Sequence, residues 1–157
     1  MQQNVNEYKA VLNECLVECK KMLEFEGEKR RSLLESDMDN LSVVLQAQQA
    51  VMMKLENIEK KRLAAQEKAG FGEMRAEEII NKIEDPQQKK DFTVTINELR
   101  SIVEEIQRLN KISIDVAKSN LRIANTILQQ ETGNSGVYTS SGSSANWTPG
   151  SSFEEKI

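Results

Sequence analysis

The chain has 157 residues, enough for one domain of ordinary size, with aromatics at only 4% and charged residues at 29%. Its net charge of −4 argues against a phosphate-binding surface, because no basic face would drive counterion release. The absence of histidine removes the commonest general base.

Apolar residues are mostly Leu, Ile, Val and Met, a profile that suits long helices better than a sheet. No uninterrupted apolar run is long enough to span a bilayer, and no charged-then-apolar leader stands at the start. The expectation is a soluble, cytoplasmic protein with no nucleic-acid partner and no membrane insertion.

From Val5 the apolar residues recur at alternating steps of three and four, as Val5, Tyr8, Leu12, Cys15, Cys19 and Met22, widened by Leu16 and Leu23. That stripe predicts a helix over about residues 4–35. Gly27 sits in its charged second half, where glycine costs about 1 kcal/mol relative to Ala, so residues 27–37 read as either a bend or a break. Cys15 and Cys19 share one helix face with nearly parallel Cβ vectors, a poor geometry for a disulfide. Without histidine they cannot complete a four-ligand zinc site unless carboxylates join them. They read as small apolar core residues.

Ser36 followed by Asp39 resembles a capping box with Asp in place of Glu, and predicts a second helix over about 37–69. Its stripe is Met38, Leu41, Leu45, Gln48, Met52 and Leu55, flanked by Val44, Val51 and Ile58. Lys60, Lys61, Arg62 and Lys68 suit the negative end of its dipole, and Gly70 and Gly72 stop it. A short helix is expected over about 73–84, with Met74, Ile79, Ile80 and Ile83 on one side, ended by Asp85-Pro86. The polar stretch "QQKKD" then reads as a link to a last helix over about 92–130.

The predicted fold is all-α: an antiparallel bundle of three long helices plus one short helix over residues 1–131. Residues 132–157 form a Ser- and Gly-rich tail carrying Tyr138 and Trp147, with too little apolar surface to offset ordering entropy, so a flexible tail is expected. Catalysis, metal and cofactor are not expected. Gly70 and Gly72 lack the Lys-Ser/Thr of a phosphate loop, and the carboxylates are interleaved with Lys and Arg on predicted solvent faces.

The last helix carries an unusually wide apolar arc. Ile96, Leu99, Val103, Ile106, Ala117, Ala124 and Ile127 form a seam. Ile102, Leu109, Val116 and Ile123 lie on one flank, and Ile114, Leu121 and Leu128 on the other. Two readings stand side by side. A helix packed against two neighbours needs both flanks. Alternatively, the helix outruns its shorter neighbours and its C-terminal turns hold an amphipathic helix of a partner. Asn110, Ser113 and Asn120 interrupt the seam, setting register or partner specificity, or facing solvent.

The whole pattern resembles the FlgN family of flagellar export chaperones over most of residues 8 to 140. Glu28, Leu33, Leu34, Asp37, Leu41, Leu55, Glu56 and Arg62 match the run in the family's first half, and Asn110 matches the entry to its Leu-rich final helix. Ser113 stands where the family often carries a second Asn, and "GVYTSSG" is similar to the Tyr-Gly element of the family's tail. The resemblance implies a chaperone that shields the amphipathic C-terminal helices of hook-associated (hook–filament junction) proteins from premature association. It would deliver them to the export gate component FlhA. The implied client-binding residues are Asn110, Ile114, Val116, Ala117, Asn120, Leu121, Ile123, Ala124, Ile127 and Leu128, and the implied gate-docking residue is Tyr138. Two alternatives stay open: a bundle adaptor that self-associates, as a homodimer, through the same face, and a chaperone for another flagellar client.

Overall fold

The computed structural model describes residues 2–132 and folds them into four helices: α1 (Gln2–Leu34), α2 (Met38–Lys68), α3 (Ala76–Lys82) and α4 (Pro86–Thr132). The expected tail, with Tyr138 and Trp147, lies outside the described residues. α1 runs unbroken through Gly27, where a Cβ would meet nothing within 4 Å. The break comes later, at Ser36, which adopts a left-handed φ of 54°. Around it the Asp37 N–H donates to the Ser32 carbonyl at 2.9 Å, and the Ser36 N–H to the Leu33 carbonyl at 3.4 Å. This pair of bonds is a Schellman stop. Ser36 therefore ends α1 rather than capping α2. The N-cap of α2 is Asp37, whose carboxylate accepts from the Asn40 backbone N–H at 3.1 Å.

α2 ends in the same way. Gly70 takes a left-handed φ of 80°, and the Phe71 N–H donates to the Gln66 carbonyl at 3.1 Å. A second boundary differs from the sequence expectation. α4 starts at Pro86, so "QQKKD" is its opening stretch and not a link. The Asp85 carboxylate accepts from the Gln88 N–H at 2.9 Å, which makes Asp85 a cap and Pro86 the first helical residue. Proline is favoured there because its missing N–H would have had no helical partner.

Cross-helix ties give the directions. Asn4 with Lys68, Gln48 with Glu26 and Asn40 with Ser32 pair early α1 with late α2 and the reverse, so these two helices are antiparallel. Lys9 pairs with Asp91, Lys20 with Glu98 and Lys29 with Asn110, so α1 and α4 run in the same direction. α1 is the helix that packs on both of the other long ones, and α3 lies against α4.

The core joins Leu12, Cys15, Cys19 and Met22 of α1 to Val51 and Ile58 of α2 and to Phe92, Ile96, Leu99 and Ile106 of α4. On α2 the buried row is Val44, Val51, Ile58 and Ala65, whereas Met38 and Leu45 are exposed. The expected stripe is thus turned by one row. Two adjacent apolar rows were available, and α1 covers the β-branched one. Cys15 and Cys19 are free, buried and 4.0 Å apart at sulfur. Their mutual hydrogen bond, with burial, pushes the Cys15 thiol up.

One end of the bundle is aromatic. The Tyr8 ring stacks on Phe92 at 5.8 Å and meets the Phe71 ring edge-on at 5.9 Å, uniting the start of α1, the end of α2 and the start of α4. Beside it the buried Arg62 is held by both Glu59 oxygens at 2.8 Å and by Gln66 at 2.7 Å. Gln66 in turn donates to the carbonyls of Gly72 and Met74 and fixes the connection to α3. No helix is long and apolar enough to cross a membrane among the described residues.

Candidate functional site

The opposite end of the bundle is polar, and here α4 parts from its neighbours. Glu26 of α1 is fully buried. Its Oε1 accepts from Lys29 Nζ at 2.8 Å and from Gln48 Nε2 of α2 at 2.9 Å. Lys29 also donates to Asn110 Oδ1 of α4 at 3.0 Å. Three helices are therefore held in axial register by directional bonds where the apolar core runs out. The other Glu26 oxygen and the buried Ser113 hydroxyl have no hydrogen-bond partner among the described residues.

Beyond Ser113 no residue through Glu131 is buried. One further tie remains. Asn120 Nδ2 donates to the Leu33 carbonyl at 3.1 Å, which sets Asn120 level with the end of α1. Residues 121–132 then project past the turn between α1 and α2 as a helical arm of roughly 18 Å.

The arm is apolar over much of its surface. Leu121 is 45% exposed, Ile123 59% and Ile127 50%, Ala124 and Leu128 are also exposed, and so are Ile114 and Ala117 just before the arm. Val116 is half-buried. Five of the ten sequence-nominated binding residues thus lie on the projecting segment, and the other five, Asn110 to Asn120, lie on the part of α4 just before it. Two are engaged inside the chain: Asn110 accepts from Lys29, and Asn120 donates to Leu33. Tyr138, nominated for gate docking, lies outside the described residues.

Sequence reasoning missed two features of this end. Leu34 and Met38, at the two ends of the turn between α1 and α2, are exposed at 62% and 54%. Lys118 and Arg122 are the only charges between Val116 and Gln130, and both are positive. They are exposed, four residues apart on one edge, and make no ion pair among the described residues. The signal was present in the sequence as a stretch free of acids inside an acidic chain.

No group of three or more His, Cys, Asp or Glu side chains among the described residues could hold a metal ion. What this end offers is a preformed apolar helix face with a basic edge, which no other helix among the described residues covers. No curated protein and no solved structure matches the chain. The model of the family described as FlgN protein matches residues 1–146, spanning the bundle and the arm alike, and the chain belongs to the FlgN family.

Proposed function

We propose that this protein is a flagellar export chaperone whose projecting α4 arm holds an amphipathic C-terminal helix of a hook-associated protein. The arm keeps that helix from associating prematurely until the client reaches the export gate. Membership of the FlgN family supports a general flagellar chaperone role. The observation that carries the finer reading is the exposure of Leu121, Ile123 and Ile127 on a segment that nothing in the bundle covers. A helix with anchors at i, i+3, i+4 and i+7 is the natural occupant of such a face. Tyr138, carried on the segment that follows the arm, takes the gate-docking role at FlhA in this reading.

The test replaces Leu121 and Ile123 together by Glu and measures binding of hook-associated proteins alongside helix content. The expected result is loss of binding with helix content and unfolding midpoint unchanged, because both side chains are already in solvent. Binding that survives the double substitution would overturn the assignment of the site. For the gate, Tyr138→Ala is expected to spare client binding and to weaken docking on FlhA; equal loss of both would sink that division of labour.

A further inference from the structure

The seam that α4 buries against the bundle does not stop where the bundle does. Leu99, Val103, Ile106, Asn110 and Ser113 are wholly or partly buried, and the same three-and-four spacing continues as Ala117, Asn120, Ala124 and Ile127, all exposed, with Leu121 on its flank. α1 is the helix that lies beside α4, and it ends at Leu34. The uncovered seam is therefore the continuation of an existing helix–helix interface from which one helix is missing. Along one edge of this segment stand Lys118 and Arg122, which make no ion pair among the described residues; the nearest acid in sequence is Asp115, three residues before Lys118.

We infer that the arm takes a single helix with an acidic edge, supplied by another protein and lying along the line that α1 would follow if it were longer. This inference rests on the functional reading above and specifies its partner: the client helix presents Leu, Ile or Val to Leu121, Ala124 and Ile127, and Asp or Glu to Arg122 and, at the root of the arm, to Lys118. A helix in this position meets the exposed Leu34 and Met38 at its near end. The apolar contact supplies the affinity, and the charge pairs select among helices of similar hydrophobicity. Asn120 is a positioning residue in this arrangement, since its bond to Leu33 fixes the arm's direction from the end of α1.

The test uses the full chain and two synthetic three-heptad peptides with identical Leu faces, one with Glu at every flanking position and the other with Lys. The Glu peptide is expected to bind roughly five- to thirtyfold tighter, with the difference shrinking as salt is raised. Lys118→Glu with Arg122→Glu should reverse the preference while leaving the unfolding midpoint in place. Equal binding of the two peptides would overturn the inference even if hook-associated proteins still bind, and the functional reading would then stand alone. Retained Glu preference without any binding of hook-associated proteins would leave the inference in place and remove the functional reading. A chain that takes neither peptide and sediments as a dimer would overturn the inference in favour of a second copy as occupant.

Discussion

Asn120 donates its side-chain amide to the backbone carbonyl of Leu33, a residue 87 positions earlier, at 3.1 Å. One hydrogen bond thus links the stop of α1 to the root of the α4 arm. Asn120→Ala should cost about 1 kcal/mol at most, because the site is partly solvated. Its main effect should be local: faster amide hydrogen exchange over residues 114–126, with α1 and α2 unchanged. Unaltered exchange there would show that the bond does not hold the arm.

The Glu26–Lys29 pair is the costly element of the polar end. Lys29→Met leaves a fully buried carboxylate whose remaining hydrogen bond comes from Gln48, and should lower stability by about 3 kcal/mol. Adding Glu26→Gln to the same chain should recover part of that loss. A double-mutant cycle in urea reads the coupling, and strict additivity would show that the two groups do not interact.

Left-handed backbone at two helix ends gives substitutions of opposite sign. Ser36→Gly removes a side chain from a φ of 54° and should raise stability by about 0.5–1 kcal/mol. Gly70→Ala puts one at a φ of 80° and should lower it by about 1 kcal/mol. Thermal unfolding midpoints moving in the same direction would contradict the two stops as described.

Alkaline pH should destabilise the bundle through its aromatic end. Burial pushes the Tyr8 hydroxyl up from its ordinary value near 10, outweighing the opposing effect of Arg62 beside it. Because the folded chain holds this proton to higher pH than the unfolded chain does, the contribution is full below about pH 10 and is lost as pH climbs through the folded value. Tyr8→Phe should therefore flatten the stability curve above about pH 10 relative to the parent. An identical alkaline slope in both proteins would place the effect elsewhere, with Cys15 as the first group to test.

Much of this architecture was legible in the residues. The three-and-four spacing of Tyr8, Leu12, Cys15, Cys19 and Met22 marked the α1 core, and Ile96, Leu99, Val103 and Ile106 marked that of α4, because on each the longest regular apolar row is also the one that packing buries. On α2 two rows competed, and packing chose the one centred on Val51 and Ile58. The helix ends were harder to read. Ser36 and Asp37 are both good cap residues, and only the backbone geometry tells which one stops α1 and which one starts α2. Asp85-Pro86 carries the same ambiguity, since the pair that discourages the preceding helix also opens the next one. For the candidate site, the apolar residues of the arm could be named in advance. That Asn110 and Asn120 would bond to α1 depended on Lys29 and on where α1 ends, neither of which lies near them in sequence.

The continuity of α4 across the bundle's edge also bears on how fast and how cheaply a partner can be gripped. An isolated helix of the arm's length would be marginal in water, because its first turn must be nucleated at a large entropic penalty. Here the first turns are already formed inside the bundle, and the arm needs only to propagate from them. In the proposed role, a disordered client would meet a finished template and order only its own backbone, at about 1–2 kcal/mol per residue, where two unfolded segments would have to order both. Tight capture could then coexist with ready release in that role, because letting go would return the client's chain entropy without melting the arm.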